Sequence, residues 1–395
     1  MLRIEDTDTE RSKPEYEKEV RDSLDWLGFQ SDGEAVRQSE RLNIYKNYAD
    51  QLVKIGFAYP SEGAVKFRAK REAKIYFEDL VHGPMEFDSA FFDDFVVMKS
   101  NGFPTYNFAC VVDDHAFGMT HVIRGDDHLS NTPRQLLMYE ALQWRPPLFG
   151  HLPLVLGRDG EPLSKRNGEV NLAYYKKEGF VPDGILNYLA LLGWASGTNQ
   201  EFFSFHELIQ KFSFDNVHKT SATFDVEKLK WLNGEHLKAL PDEEFVRCGK
   251  DYLKSEGKVP KGLSEETLSE MILLFKSRIR IWSDFVWQAG FFWEEKINYD
   301  AQALSQHIHG EKTRGHLAAL EKKLNELADF SDAERIERAL RASAEGLGVP
   351  AKELIHPTRI ALTGRSVSPS LFLVMKLMGK ELALKRIRLL VERLS

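Results

Sequence analysis

The feature that most restricts the fold of this chain is a change of pattern near its midpoint. Up to about residue 195, short apolar runs typical of buried strands alternate with segments whose apolar residues recur at helical spacing. After Trp194 the spacing is helical, and we identify no convincing strand. Strands that alternate with helices favour a parallel α/β sheet. The sequence therefore predicts an α/β half followed by an all-α half, with the sharpest boundary at residues 196–199.

Individual elements can be placed from periodicity and turn signals. Short strands are predicted at residues 1–4, 65–67, 75–77, 85–87, 95–99, 120–124 and 152–156. Helices of the second half are predicted at residues 242–256, 264–282, 301–329, 332–347, 370–378 and 381–394. Ser12 with Glu15, and Ser204 with Glu207, are typical of capping boxes at helix starts. We expect Asp225 to cap a further helix.

Composition limits the class of protein. The 395 residues suffice for two or three domains of roughly 100–200 residues each. The net charge is −7, so any nucleic-acid site must be a local basic surface on an acidic body. The two cysteines, Cys110 and Cys248, fit neither a disulfide framework nor a metal cluster, and they favour a reducing, cytoplasmic location. No apolar run approaches the roughly 20 residues that a membrane helix needs.

One loop carries a residue suited to phosphate chemistry. Pro162-Leu163-Ser164-Lys165-Arg166 follows the strand predicted at residues 152–156. Open α/β sheets bind ligands beyond the carboxyl ends of their strands. A lysine there can stabilise negative charge that develops during transfer of a phosphoryl group. Taken alone, two adjacent cations are more often a solvated surface.

The loop resembles the K-x-S-K-R form of the class I aminoacyl-tRNA synthetase signature loop. Three other stretches agree with one member of that class: RIEDTDTERS at residues 3–12, PTYNFACVVDD at 104–114 and HVIRGDDHLSNTPRQ at 121–135. Together they resemble glutamyl-tRNA synthetases of the bacterial type, nearly end to end. The resemblance implies a Rossmann-like α/β catalytic domain with a small α+β insertion, followed by an all-α C-terminal anticodon-binding region.

The resemblance also implies a division into four domains. The catalytic domain would comprise residues 1–58 and 104–195, interrupted by an acceptor-binding insertion at residues 59–103. A helical stem-contact domain at residues 196–290 and a helical anticodon-binding domain at residues 291–395 would follow. Some relatives bind zinc in the insertion through cysteines. Because this insertion has none, we expect no zinc, and the family suggests a monomer.

The implied activity is ATP-dependent ligation of glutamate to the 3′ end of tRNA(Glu), through glutamyl-adenylate. Positioning and electrostatic stabilisation suffice for both steps, so no enzyme nucleophile is needed. By resemblance, Glu5 faces the amino group of glutamate, while Tyr106 and Arg124 hold its side-chain carboxylate. An arginine suits this task because its fork can bind both oxygens. Alone, Glu5 and Arg124 would each more often be surface charges.

The resemblance assigns further residues to ATP. Leu154 and Val155 would contact adenine, and Asp127 would lie near the ribose. Lys165 would approach the α-phosphate and is the catalytic candidate, with Mg²⁺ expected to accompany ATP. Pro162 stands where many relatives have another lysine, so this signature loop has one lysine rather than two.

The resemblance also assigns residues to tRNA. Asp8 and Arg11 match positions near the acceptor end. The stretch HPTRIALTGRSVSPSLF at residues 356–372 matches the anticodon-reading segment of the family. Its base-contacting positions are occupied by Arg359, Ser368 and Leu371. Arginine can hydrogen-bond to an unpaired base or stack on it, although a lone Arg359 would more often be a helix-surface charge.

The start of the chain departs from the family pattern. Relatives begin with a strand and an H-x-G-H-type sequence that holds ATP phosphates at a helix N-terminus, and nothing here matches it. Three hypotheses follow: a glutamyl-tRNA synthetase whose first residues are not included, a non-catalytic tRNA-binding relative that lost the ATP cradle, or a glutamyl transferase that modifies a tRNA base. The retained Glu5, Tyr106, Arg124 and Lys165 favour the first. We expect residues 1–395 alone to be deficient in aminoacylation.

Overall fold

The computed structural model describes residues 1–8, 12–69, 74–163, 171–260 and 262–394. The chain divides into two compact units, one of residues 1–176 with 181–232 and the other of residues 177–180 with 233–395. All strands among the described residues lie in the first unit. The predicted change from an α/β half to a helical half is therefore confirmed. The finer division into four domains stays a prediction.

Eleven strands are present in the described part of the chain. They are β1 (Arg3–Ile4), β2 (Val36–Arg37), β3 (Ala58–Ser61), β4 (Ala64–Phe67), β5 (Lys74–Asp79), β6 (Gly83–Asp88), β7 (Phe95–Met98), β8 (His121–Gly125), β9 (Leu148–Leu152), β10 (Val155–Leu156) and β11 (Ala222–Thr223). The run predicted at 152–156 is wrong as one strand, because it contains the end of β9 and all of β10. The expectation of no strand after Trp194 is also wrong, since β11 pairs with β10.

Seventeen α-helices are described. They are α1 (Pro14–Trp26), α2 (Leu42–Lys54), α3 (Tyr106–Ala116), α4 (Thr132–Ala141), α5 (Leu172–Glu178), α6 (Pro182–Gly193), α7 (Phe205–Lys211), α8 (Val226–Ala239), α9 (Asp242–Ser255), α10 (Glu265–Leu274), α11 (Trp282–Ala289), α12 (Ala301–His307), α13 (Gly310–Asn325), α14 (Ala333–Gly346), α15 (Lys352–Thr363), α16 (Leu371–Met378) and α17 (Lys380–Arg393).

Two of the predicted helices of the second half are shorter than expected. The helix predicted at 264–282 ends at Leu274, and the one predicted at 301–329 breaks into α12 and α13. We did not predict α15, which contains Pro357 in its interior. Proline lacks an N–H and clashes with the preceding turn, so it normally argues against a helix. Here the buried neighbours Leu354 and Ile360 hold the helix through that position.

The two predicted capping boxes differ in outcome. The hydroxyl of Ser204 accepts a hydrogen bond from the backbone N–H of Glu207, whose carboxylate accepts one from Ser204 N at 2.8 Å, so this box is confirmed. The box predicted from Ser12 is wrong. Because Pro14 is the first helical residue of α1, the cap position falls on Lys13, whose side chain makes no capping hydrogen bond. Asp225 caps α8 as expected, accepting from Glu227 N at 2.9 Å.

The central sheet is mixed rather than parallel, with strand order β6-β5-β9-β8. β5 and β8 both run parallel to β9, whereas β6 is antiparallel to β5. Arg124 of β8 lies in register with His151 of β9. The strands β3, β4 and β7 form an antiparallel sheet. Since β8 and β9 end at the same edge, this edge is where a ligand site is expected.

The core of the first unit packs α2, α3 and α4 against the β3-β4-β7 sheet. Its fully buried members include Tyr45, Phe67, Phe108 and Met138. The carboxylate of Asp113, at the end of α3, is buried among them and accepts three side-chain hydrogen bonds. The donors are Gln38 at 3.0 Å, Arg41 at 2.9 Å and the hydroxyl of Tyr45 at 2.9 Å. Buried charge is tolerated only when it is paired in this way.

We predict that Gly364→Ala destabilises the second unit by about 3 kcal/mol or more. Gly364 ends α15 with φ of +74°, and an added Cβ would overlap the carbonyl oxygen of Asn298. A left-handed conformation alone costs a non-glycine residue about 1–2 kcal/mol, and overpacking adds about 1–3 kcal/mol. Urea unfolding followed by tryptophan fluorescence measures the difference.

The matched control is Gly348→Ala. Gly348 also has positive φ, +64°, but nothing lies within 4 Å of the added Cβ. It should lose only about 1–2 kcal/mol, the conformational part. Equal losses for the two variants would show that the contact with Asn298 adds nothing.

Candidate active site

Glu5 is held in place by an arginine on the strand that precedes it. Arg3 donates to Glu5 Oε1 from Nε at 3.2 Å and from Nη2 at 2.8 Å, and its Nη1 donates to Asp114 Oδ1 at 2.5 Å. Burial alone would lower the pKa of Arg3, but the hydrogen bond and charge of Asp114 raise it above its ordinary value. Arg3 therefore stays cationic and ties Glu5 to the end of α3.

Tyr106 opens α3 close to two opposite charges. Burial raises the pKa of the Tyr106 hydroxyl, the charge of Glu5 raises it further and the charge of Arg124 opposes both. Cys110, one turn along α3, donates its S–H to Glu5 Oε1 at 3.5 Å. Arg124 is linked through Gln135 to Asn107, the residue next to Tyr106, so Glu5, Tyr106 and Arg124, the three residues expected to bind one small ligand, all lie near the start of α3. Cys110 was not predicted as a site residue, although it lies inside a quoted motif.

Arg124 is fixed by neutral acceptors. Its Nε donates to His151 Nε2 at 3.2 Å, and its Nη2 donates to Thr132 Oγ1 at 2.7 Å and to Gln135 Oε1 at 3.0 Å. Gln135 in turn donates to Asn107 Oδ1 at 3.1 Å. No carboxylate in the described ranges forms an ion pair with Arg124. Its positive charge is therefore left for a ligand, whereas that of Arg3 is already paired.

The residues that hold Arg124 were missed by sequence reasoning. Thr132 and Gln135 lie three residues apart on α4, so they share one face of a largely buried helix. Two buried polar side chains at that spacing were a usable signal. His151 gave no such signal, because its role depends on the register between β8 and β9.

The residues assigned to ATP lie around the end of β8 and the start of β10. An added Cβ on Gly125 would come within 2.5 Å of Asp127 Oδ1 and 3.9 Å of Leu154 Cδ2. Asp127 and Leu154 therefore both lie beside the glycine that ends β8. The carbonyl of Val155 accepts from Leu163 N at 2.8 Å, which ties the start of the signature loop to β10.

Part of the signature loop and of the predicted acceptor-end site lies outside the described residues. This holds for Ser164, Lys165, Arg166 and Arg11. Pro162 is bridged to Leu156. Asp8 accepts from Ser12 N at 3.1 Å through its backbone carbonyl.

In the second unit, Arg359 and Ser368, two of the positions predicted to contact the anticodon, contact each other. Nη1 of Arg359 donates to Ser368 Oγ and, at 2.8 Å, to the carbonyl of Pro369. Burial lowers the pKa of Arg359, and the nearby Arg278 lowers it further. Leu371 begins α16 and its side chain is buried. Arg359 and Ser368 therefore form a contact, whereas the side chain of Leu371 packs inside the unit.

A cleft of about 570 Å³ adjoins this contact and includes Ser368 and Pro369 in its lining. Trp287, which is 66% exposed, also lines it. The guanidinium of Arg365 stacks over the Trp287 ring at 3.8 Å and donates to its carbonyl at 3.0 Å. An exposed aromatic ring with a stacked cation is a surface on which a base can stack.

The described residues contain neither a metal site nor a membrane span. No group of three or more His, Cys, Asp or Glu side chains there could hold a metal ion. Within the same ranges, the helices are too short or too polar to cross a membrane.

Family models match almost the whole chain. The model "tRNA synthetases class I (E and Q), catalytic domain" matches residues 1–64 and 60–231, and the model "Anticodon binding domain" matches residues 237–391. The first match covers almost the same residues as the α/β unit. The helical unit fits the second. The fold and the site therefore define a class I tRNA synthetase.

Individual relatives narrow this class. The chain is 38% identical to glutamate–tRNA ligase 2 of Thermosipho melanesiensis over 421 residues, covering 98% of this chain and 90% of the relative. It is 37% identical to the glutamate–tRNA ligase of Nitratidesulfovibrio vulgaris (strain Hildenborough), with the same coverage. A crystal structure of a glutamate tRNA ligase from Elizabethkingia meningosepticum, in complex with its amino acid, superposes with a TM-score of 0.87 at 29% identity over 100% of this chain and 92% of the other. The chain belongs to the glutamate–tRNA ligase family, as its motifs predict.

We predict that Cys110 reacts with iodoacetamide at least about tenfold more slowly than Cys248 at pH 8, since only the thiolate is nucleophilic. Burial raises the pKa of the Cys110 thiol, and the charge of Glu5 raises it further. Burial also raises the pKa of Cys248, but that side chain is partly exposed. Both rates should increase with pH, with Cys110 remaining slower. Mass spectrometry of the native protein measures both, and equal rates would contradict the enclosed position of Cys110.

Proposed function

We propose that this chain joins glutamate to the 3′ end of tRNA(Glu) in two ATP-dependent steps. The observation that carries the proposal is that Glu5 contacts Cys110, one turn from Tyr106 on α3, while Arg124 reaches Asn107, next to Tyr106, through Gln135. Glutamate carries one ammonium and two carboxylate groups. A site for it therefore needs both an acid and an unpaired cation. Membership of the family supports the reaction.

The charges of the protein residues in the glutamate site indicate what each of them binds. Glu5 accepts hydrogen bonds from the ammonium group of glutamate. Arg124 and Tyr106 bind its side-chain carboxylate, since Nη1 of Arg124 has no partner among the described residues. Nη1 carries two N–H groups that can donate to this carboxylate, while Nε and both N–H groups of Nη2 are taken by protein acceptors. An uncharged side chain in place of the carboxylate would leave the Arg124 charge unpaired.

Both steps of the reaction are displacements between substrates, and neither forms a covalent bond to the enzyme. The α-carboxylate of glutamate attacks the α-phosphorus of ATP, and pyrophosphate leaves. A ribose hydroxyl of the terminal tRNA nucleotide then attacks the carbonyl carbon of the adenylate, and AMP leaves. The protein accelerates both steps by orienting the reactants and by stabilising developing charge.

The ATP site lies around the end of β8 and the start of β10. Leu154 and Val155 contact adenine, and Asp127 lies beside the ribose. Lys165 of the signature loop approaches the α-phosphate, and Mg²⁺ arrives with the nucleotide. The support for Asp127 is its position over Gly125 and next to Leu154.

The tRNA site has two parts. Asp8 and Arg11 contact the acceptor end, and the anticodon is read at Arg359, Ser368 and Leu371. The contact between Arg359 and Ser368, and the cleft beside it, support the second part. Since the side chain of Leu371 is buried, the main readers are Arg359 and Ser368. The protein acts as a cytoplasmic monomer.

We predict that Arg124→Gln raises the dissociation constant for glutamate about 100-fold, measured by calorimetry. Removing one partner of a buried charge pair costs about 2–5 kcal/mol, and each 1.4 kcal/mol is a factor of ten. The matched control is Arg134→Gln, because Arg134 is a cation on α4 that instead contacts Ser130 and Phe92. A dissociation constant within threefold of the unmodified protein would remove Arg124 from the site.

For tRNA, we predict that Trp287→Ala weakens binding by roughly 5- to 150-fold, because base stacking on an aromatic ring contributes about 1–3 kcal/mol. Filter binding at a single stated salt concentration measures the change. The control ligand is an acceptor minihelix without the anticodon arm, whose affinity should not change. An equal loss with the minihelix would place Trp287 away from the anticodon.

A further inference from the structure

We propose that Asp79 and His151 are positioning residues, which fix the guanidinium of Arg124 and thereby set the affinity for glutamate. The proposal rests on the proposed role of Arg124 as the ligand of the substrate side chain. Asp79 ends β5 and lies 72 residues from His151 in the sequence. Neither was expected to belong to the site, and neither is placed to touch a ligand, since both side chains are fully buried.

The carboxylate of Asp79 is saturated with donors. Its Oδ1 accepts from the backbone N–H groups of Val81 at 2.9 Å, His82 at 3.0 Å and His151 at 3.2 Å. Its Oδ2 faces Nδ1 of His151 at 2.6 Å. These hydrogen bonds keep Asp79 ionised and lower its pKa against the opposing effect of burial. An ionised carboxylate only accepts, so Nδ1 of His151 must carry a proton.

That proton determines what His151 offers to Arg124. Burial lowers the pKa of His151 despite the neighbouring charge of Asp79, so the ring is neutral. With the proton on Nδ1, Nε2 is an acceptor. It faces the Nε–H of Arg124 at 3.2 Å and the hydroxyl of Thr132 at 3.0 Å. The other tautomer would set two donors against each other.

Two nitrogens of the guanidinium, Nε and Nη2, therefore donate to protein acceptors, and in the described part of the chain the third does not. His151 holds Nε, while Thr132 and Gln135 hold Nη2. Because the group is planar, fixing these two nitrogens fixes the third. Nη1 has no partner among the described residues and is available to a carboxylate ligand.

The same arrangement keeps the charge of Arg124 uncompensated. The carboxylate of Asp79 orients Arg124 through an imidazole ring rather than by direct contact. A direct ion pair would give the guanidinium an internal carboxylate, as Glu5 and Asp114 do for Arg3. Asp79 and His151 therefore supply orientation without occupying the donor that the substrate needs.

The test is Asp79→Asn, which keeps the shape and removes the charge. If the asparagine carbonyl keeps the backbone donors of Asp79 Oδ1, its NH₂ faces Nδ1 of His151. That nitrogen must then accept, so the proton moves to Nε2 and opposes the Nε–H of Arg124. We expect the dissociation constant for glutamate to rise about 10- to 100-fold, the range found when carboxylates that orient metal-bound histidines are replaced.

Two readouts separate positioning from general damage. Long-range ¹⁵N–¹H spectra should show the proton of His151 on Nδ1 in the unmodified protein and on Nε2 in Asp79→Asn. Binding of tRNA should stay within twofold. A glutamate dissociation constant within twofold of the unmodified value, or an unchanged tautomer, would overturn the proposal. Failure of the unmodified protein to bind glutamate would instead overturn the proposed function beneath it.

A second variant covers the case in which Asp79→Asn does not fold. Thr132→Val keeps the side-chain shape but removes the hydroxyl that Arg124 Nη2 and His151 Nε2 share. It should raise the glutamate dissociation constant about 10- to 150-fold, the value of one hydrogen bond to a charged group. The control is Thr120→Val, whose exposed hydroxyl contacts His121 rather than Arg124 or His151. Equal affinities for the two threonine variants would refute the network.

Discussion

The site of the first unit depends on two adjacent carboxylates at the end of α3. Asp113 holds α3 to the start of α2 through Gln38, Arg41 and Tyr45, and Asp114 holds Arg3 on β1. Each pairing satisfies a charge that would otherwise be costly to bury. Together they fix the distance between the start of α3, where Tyr106 lies, and the end of β1, where Glu5 lies. A small ligand can be recognised at both ends only if that distance is constant.

The two arginines near the ligand illustrate how surroundings separate structural from binding roles. Arg3 is paired with two carboxylates and stays cationic, but it has no charge left to offer. Arg124 meets only an imidazole, a hydroxyl and an amide among its described neighbours. In the proposed site, the same residue type therefore connects two elements in one position and binds an anionic group in the other. The hydrogen-bonding partners of each arginine, rather than the residue type, distinguish the structural role from the binding role.

The sequence predicted those features that depend on local pattern. The helical half and six of the seven predicted regions of β structure follow from periodicity, whereas Glu5, Tyr106 and Arg124 are predicted by resemblance to family motifs. Strands β2 and β11, which were not predicted, have two residues each, too few for alternation to be recognised. The proline inside α15 concealed a helix that tertiary packing maintains. The pairing of β5 with β9, and with it the contact between Asp79 and His151, is long-range and leaves no local signal.

The position of β5 has a consequence for how this fold can vary. Although β5 comes from the segment between α2 and α3, it is an inner strand of the sheet that carries Arg124, not an appendage on its edge. Because β5 pairs on both sides, this segment cannot be replaced by the segment of a relative without affecting the rest of the sheet. Any replacement must reproduce the carboxylate at its last position and the turn that follows, or the arginine two strands away loses its support. Variation in length is therefore best tolerated in the turns of this segment, while its inner strand changes only together with its neighbours.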